Sequence, residues 1–211
     1  ISNIEMEKII DVARKNDLWI ISDEIYEAFD YENKFVSVDG KYDKAIILNG
    51  FSKIYSMTGL RLGYAIGPKN VIDDMTKLQQ YTCVSASSIC QFALANVDES
   101  KIDIKERIEI YKERREYVYE KLKDHYEIIK PEGAFYMYIK TPKNLTGTNF
   151  SQICLENNLL VVPSKTFSLE DKYFRISFGT DDITLKKACD KLIEIRNKLY
   201  HSILILNNFL L

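Results

Sequence analysis

Three short, unbroken apolar runs, each closed by polar residues or glycine, restrict what this sequence can build. Leu18-Trp19-Ile20-Ile21 leads into Ser22-Asp23-Glu24, Ala45-Ile46-Ile47-Leu48 into Asn49-Gly50, and Leu62-Gly63-Tyr64-Ala65-Ile66 into Gly67-Pro68. Runs of this length without polar alternation are the pattern of strands buried on both faces, as in a parallel sheet. Ahead of the first run, Ser2-Asn3-Ile4-Glu5 has the form of a capping box. Met6, Ile9, Ile10 and Ala13 follow at helical spacing, which predicts a helix over 4–15. Helix and buried strand in alternation imply an α/β fold with a mostly parallel sheet.

Beyond Pro68 the texture turns helical. Helices are expected over 71–82, with Asn70 as cap, over 89–97, and as a long charged helix over 102–123. Strands then read at 127–129, 135–139, 159–162 and 173–178, with helices at 150–156 and 182–200. The organisation predicted is part of a large α/β domain over 1–100 and a smaller α+β domain over 101–200 that opens with the long linking helix. An apolar tail over 201–211 is expected to dock against the body.

Charge excludes some partners. The chain has 29 Lys+Arg against 31 Asp+Glu, a formal charge of −2, and no block of five like charges. This leaves no electrostatic footprint for nucleic acid or an anionic membrane surface. The longest apolar tract, 203–206, is far too short to span a bilayer. The four cysteines show no C-x-x-C pairing and the two histidines, His125 and His201, stand far apart, which argues against a Cys/His metal cluster. Four buried, reduced thiols and a cytoplasmic location are the expectation, and small-molecule chemistry is the class left standing.

In open α/β sheets, ligands bind in the crevice beyond the carboxyl ends of the strands. Three polar clusters fall at such places: Ser22-Asp23-Glu24-Ile25-Tyr26, Gly50-Phe51-Ser52-Lys53 and Gly59-Leu60-Arg61-Leu62-Gly63. Singly, each also reads as structure: Asp23 as a helix cap, Lys53 as a solvated loop residue, Arg61 as half of a surface ion pair. Together and in this order they resemble the class I/II, aspartate-aminotransferase-like family of pyridoxal-phosphate-dependent enzymes of fold type I. The stretch from Gly50 to Gly63 fits that family's cofactor-attachment motif at every constrained position, with the arginine eight residues after the lysine. The resemblance continues through Pro131-Glu132-Gly133-Ala134-Phe135-Tyr136 and Val161-Val162-Pro163 to Arg175-Ile176-Ser177-Phe178.

The resemblance implies a role for each residue. Lys53 would attach the cofactor's aldehyde and, once displaced by substrate, shuttle a proton. Asp23 would hold the charge on the ring nitrogen, and Tyr26 would hydrogen-bond the ring's phenolic oxygen. Ser52 and Arg61 would bind the phosphate, and Arg175 the substrate's α-carboxylate. Where many relatives carry serine three residues before the lysine, this chain has Gly50, and where relatives commonly carry glycine after the proline it has Ser164. Glu24 and Tyr64 are expected in packing or hydrogen-bond networks near the cofactor. Phe135 and Tyr136 read as core or as pocket wall.

The resemblance also implies that the chain is the C-terminal portion of a protein nearly twice its length, and that alone it binds cofactor weakly and turns over little. The reaction implied is transfer of an amino group between an amino acid and a 2-oxo acid, in a homodimer. A carbon–sulfur β-lyase on the same fold would use the same Lys53, Asp23 and Arg175, although those lyases often carry histidine where this chain has Tyr26. The effector domain of a transcription regulator that shares the fold is a third reading. A structural fragment that folds only with a partner chain is the fourth.

Overall fold

The computed structural model describes residues 1–98, 102–142 and 145–208, with side chains described as far as His201. The chain divides into two compact units, Ile1–Ile108 with Glu132–Ala134, and Glu109–Pro131 with Phe135–Leu211.

The first unit opens with helix α1 (Asn3–Lys15). Its capping box is present: the Ser2 hydroxyl accepts the Glu5 N–H at 3.4 Å while the Glu5 carboxylate accepts the Ser2 N–H at 2.8 Å. Such an arrangement satisfies two donors that a helix start otherwise leaves unpaired. The helix buries Met6, Ile10 and Ala13, and the first two join Val38, Ala45 and Ile47 in a core against which Ile20 and Tyr42 pack. The sheet beneath it contains β1 (Ile20–Asp23), β2 (Ala45–Gly50) and β3 (Gly63–Ile66), in the order β1-β2-β3. β1 and β2 are parallel, with 24–44 as the crossover such a pair needs, whereas β2 and β3 are antiparallel across the irregular segment 51–62.

Three sequence expectations change here. The first strand begins at Ile20, leaving Leu18 and Trp19 outside it, and it is not buried on both faces: Ile21 is 67% exposed. α1 and the Val38 segment cover the face that carries Ala45 and Ile47, and Ile21 on the opposite face meets no covering layer among the described residues. Next, α2 (Lys69–Thr82) starts one residue before Asn70, which therefore lies inside the first turn instead of capping it. α3 (Ser88–Ala95) is capped by Ser87, whose hydroxyl accepts the Cys90 N–H at 3.4 Å. No residue of α2 or α3 is buried. Only two of the four thiols are accordingly buried: Cys83 is exposed and Cys90 half-buried, while Cys154 and Cys189 lie in the second unit's core.

α4 (Ile104–Leu122) carries the chain into the second unit, where Val118 and Leu122 are fully buried. There β4 (Tyr136–Lys140), β5 (Val162–Pro163) and β6 (Tyr173–Ser177) form an antiparallel sheet in the order β4-β6-β5. α5 (Gly147–Glu156), capped by the Thr146 hydroxyl, precedes β5, and α6 (Asp182–Asn208) closes the described chain. The rings of Tyr126, Phe150 and Phe174 meet with centroids 4.6–6.3 Å apart, and the Tyr126 hydroxyl donates to the Leu192 carbonyl at 2.7 Å. A buried phenol needs such a partner.

The strand expected at 127–129 shrinks to one bridge, Ile128 to Ile139, with Ile129 turned to solvent, and that at 159–162 to Val162–Pro163. Pro131 closes the first run, whereas in the second the lost residues lie at the start of the run and Pro163 itself pairs with Phe174. No glycine or proline interrupts the sequence from Asp182, and the backbone of the expected tail continues α6 to Asn208. The docking expected of the tail's side chains lies outside the described residues.

Candidate active site

The carboxyl ends of β1 and β2 lie side by side, with Asp23 in register with Leu48 and Gly50 with Gly63 of β3. This register sets the floor of a cavity of about 430 Å³, lined by Asp23, Ile25, Leu48, Asn49, Ser52, Lys53, Thr58, Arg61, Leu62 and Gly63. The chain must approach itself closely there: a Cβ on Gly50 would lie 2.8 Å from the Leu62 carbonyl oxygen and 2.9 Å from the Gly63 Cα. Glycine at 50 is thus a packing requirement of the strand pair. That is a reason internal to this chain for the departure from serine.

The segment that follows Gly50 is a succession of turns. Tyr55 N–H donates to the Phe51 carbonyl at 3.3 Å, Ser56 N–H to Lys53 at 3.2 Å, and Leu60 N–H to Met57 at 3.1 Å. Ser56 and Arg61 both take left-handed backbone, with φ of 54° and 55°. For residues with a Cβ this costs energy, and such positions gather at functional sites. The Arg61 guanidinium donates to the Thr58 carbonyl at 3.2 Å and makes no ion pair among the described residues. At the other wall, Asp23 Oδ1 accepts the Ile25 N–H at 3.2 Å, turning the chain out of β1 as an Asx turn. Four of the sequence-selected residues, Asp23, Ser52, Lys53 and Arg61, therefore face one space.

Tyr26 stands on the adjoining side. Its ring centroid is 5.6 Å from Lys53 Nζ, and with Asp23 and Glu24 it lines a neighbouring cavity of about 250 Å³. Glu24 is the network residue expected: it is 3% exposed, and its carboxylate accepts from the hydroxyls of Ser22 at 2.9 Å and Ser37 at 3.1 Å and from Val38 N–H at 3.4 Å. Tyr64 packs its ring 5.8 Å from that of Phe51; partial burial, then the Glu27 carboxylate, raise its phenol above the ordinary value.

Arg175 belongs to the second unit, at the centre of β6. Its guanidinium lies against two aromatic rings, with Cζ 3.9 Å from the Phe167 centroid and 4.3 Å from that of Tyr136. A guanidinium stacked on aromatic rings keeps its in-plane N–H edges for a ligand. Half-buried, it has no ion-pair partner among the described residues. Ser164 is fully buried; its hydroxyl donates to the Glu170 carbonyl at 2.7 Å and accepts the Tyr173 N–H at 3.2 Å, stapling the loop that carries Phe167.

Sequence reasoning missed Asn49, Thr58 and Phe167. Asn49-Gly50 reads as a turn, whereas β2 runs through both residues, with the Asn49 amide donating to Glu27 at 2.8 Å. Phe167 carries no local signal for its place over Arg175.

Residues 1–192 match the model of the family described as aminotransferase class I and II. The chain belongs to that family. It is similar to the aspartate aminotransferase of Sulfolobus acidocaldarius, with 34% identity over 94% of this chain and 53% of that protein. The probable N-acetyl-LL-diaminopimelate aminotransferase of Bacillus subtilis is 34% identical over 91% of this chain and 50% of its own length. Among solved structures, the aromatic aminotransferase of Pyrococcus horikoshii superposes with a TM-score of 0.89 at 32% identity, over 95% of this chain and 57% of that one. The class I and II chain described here thus spans about half the length of the curated relatives it matches.

Pyridoxal phosphate is the cofactor this aminotransferase family implies, and the residues present fit it. An amine, a carboxylate, a hydroxyl and a guanidinium that makes no ion pair among the described residues face one cavity, with a phenol beside the amine. The cavity's size lies in the range of small-molecule sites. No cluster of three or more metal-ligating side chains occurs among the described residues.

Proposed function

We propose that this chain carries the cofactor-holding lysine and the substrate arginine of an enzyme that moves an amino group between an amino acid and a 2-oxo acid. The observation that carries the reading is the convergence of Lys53, Asp23, Ser52 and Arg61 on one cavity at the carboxyl ends of β1 and β2. When bound, pyridoxal phosphate supplies an aldehyde for covalent attachment and a ring that draws electron density from the reacting carbon. Lys53 would be the attachment point, and its amine, once released, would move the substrate's α-proton as amino transfer requires. Asp23 favours the protonated ring nitrogen by opposite charge. The Tyr26 phenol donates to the ring's phenolic oxygen, and Ser52 and the Arg61 fork hold the phosphate.

Arg175 receives the α-carboxylate, its in-plane edge matching two carboxylate oxygens. It specifies a free α-carboxylate and nothing of the side chain. The working protein is read as a homodimer, on the family resemblance, with the first unit holding the cofactor and the second the substrate carboxylate. A cytoplasmic location is supported by four cysteines without a disulfide; no helix among the described residues is long and apolar enough to cross a membrane.

The test is nitrogen transfer. With pyridoxal phosphate, a mixture of ¹⁵N-labelled amino acids and an unlabelled 2-oxo acid, the label is expected in the amino acid formed from that oxo acid, and not with Lys53→Ala. Label released as ammonia instead would favour the lyase reading.

A further inference from the structure

The segment that carries Lys53, 51–57, lies in no helix or strand, so what holds the amine in place must come from turns and from outside. The turn that begins at Lys53 closes through the Ser56 N–H, which donates to the Lys53 carbonyl at 3.2 Å, and Ser56 pays for this with left-handed backbone at φ 54°. One side chain from a distant part of the same unit reaches this turn. Arg107, in the first turn of α4, donates through one nitrogen, Nη1, to the Ile54 carbonyl at 2.8 Å and to the Ser56 hydroxyl at 3.1 Å. It spans the turn from the residue after Lys53 to the strained residue that closes it.

We infer that Arg107 is a positioning residue for Lys53, which fixes the turn from which the amine projects; the inference rests on the reading of Lys53 as the attachment point. The chemistry favours arginine for this task. A charged donor strengthens hydrogen bonds to neutral acceptors, and the rigid guanidinium loses less freedom than an ammonium would in holding two acceptors at once. Arg107 makes no ion pair among the described residues, so neutralising it by substitution leaves no carboxylate there without its partner. It lines neither the cavity at Lys53 nor that at Tyr26 and reaches the chemistry only through the turn.

Two measurements on Arg107→Met and Arg107→Lys separate the inference from the reading it rests on. Hydrogen exchange on the chain without added cofactor reads the turn alone. Amides of 53–60 are expected to exchange about tenfold faster in Arg107→Met, as loss of a charge-assisted bond of this class implies, with β1 and β2 unchanged and Arg107→Lys intermediate. Titration of the visible band of the pyridoxal-phosphate-loaded protein reads the amine: its apparent pKa is expected to move in Arg107→Met and to return part-way in Arg107→Lys. Exchange at 53–60 unchanged in Arg107→Met would overturn the inference, as would faster exchange with an unmoved band. If the unsubstituted chain gives no lysine-linked band even at saturating pyridoxal phosphate while exchange responds as expected, the tether stands and the reading of Lys53 fails. Exchange that rises equally throughout the first unit would make Arg107 a stability residue, which contradicts the inference.

Discussion

Lys53 Nζ lies 5.6 Å from the centre of the Tyr26 ring, across the gap between the carboxyl ends of two parallel strands. An amine and a phenol so placed can act on one planar ring held between them, the phenol bonding an oxygen beside the carbon that the amine attacks. Around the same gap Asp23 and Arg61 offer a carboxylate and a guanidinium, and Ser52 a hydroxyl, the groups that such a ring and a phosphate would require.

Replacing Asp23 with asparagine keeps the Asx turn to Ile25 but removes the charge. Covalent capture of the cofactor at Lys53 is expected to persist while the rate of amino transfer drops about a hundredfold, the equivalent of two pKa units lost at the ring nitrogen. Single-turnover kinetics on cofactor-loaded protein would check this. An unchanged rate would remove Asp23 from the site.

At Arg175, lysine substitution sacrifices the planar fork and the stacking on Phe167 and Tyr136. Amino-acid affinity, read from the shift of the cofactor band, should weaken about 10- to 100-fold with cofactor binding intact. Equal affinity would mean that another group binds the carboxylate.

Two glycines of the attachment motif should respond oppositely to alanine. Gly50→Ala drives a Cβ into backbone at 2.8 Å, and a loss of about 1–3 kcal/mol is expected from overpacking where the strands cannot part. Gly59→Ala meets nothing within 4 Å and needs no positive φ, so stability should change by no more than about 0.5 kcal/mol. Urea denaturation of both variants decides. Similar losses in the two would contradict the strand-pair explanation for Gly50.

The cysteines divide by burial. Burial raises the Cys154 thiol to about 12, and burial, then the Asp190 charge, raise Cys189 to about 11, from an ordinary value of 9.0. At neutral pH, a thiol reagent should modify the exposed Cys83 rapidly and these two only after unfolding. Below pH 9 both thiols keep their protons folded or unfolded, and their burial carries no charge penalty. Between pH 9 and about 12 the unfolded chain loses protons that the folded chain retains, so this contribution to stability falls as pH rises. A denaturation series from pH 8 to 11 would show the decline; a flat profile would contradict it.

Local grammar carried most of what the sequence could disclose. Ser2 and Glu5 announce a helix start because the cap is made within four residues, and the Lys53-to-Arg61 spacing marks the site because one short segment supplies both groups. Contacts between distant residues were not legible. Nothing near Gly50 reports the approach of Leu62, nor anything near Arg175 the ring of Phe167. The open face of β1 was misread for a related reason: an apolar run signals the capacity to be covered on two sides, and Ile21 shows that capacity unused among the described residues. The antiparallel return of β3 likewise depends on the path of 51–62, which has no periodicity to read.

The central claim is that Lys53 attaches pyridoxal phosphate. The most direct measurement is to load the protein with the cofactor, reduce with borohydride, and map the modified peptide by mass spectrometry. One cofactor mass on the peptide containing Lys53, absent from Lys53→Ala while other lysine peptides stay unmodified, is the predicted result. Label spread over surface lysines, or retained at full yield in Lys53→Ala, would contradict it.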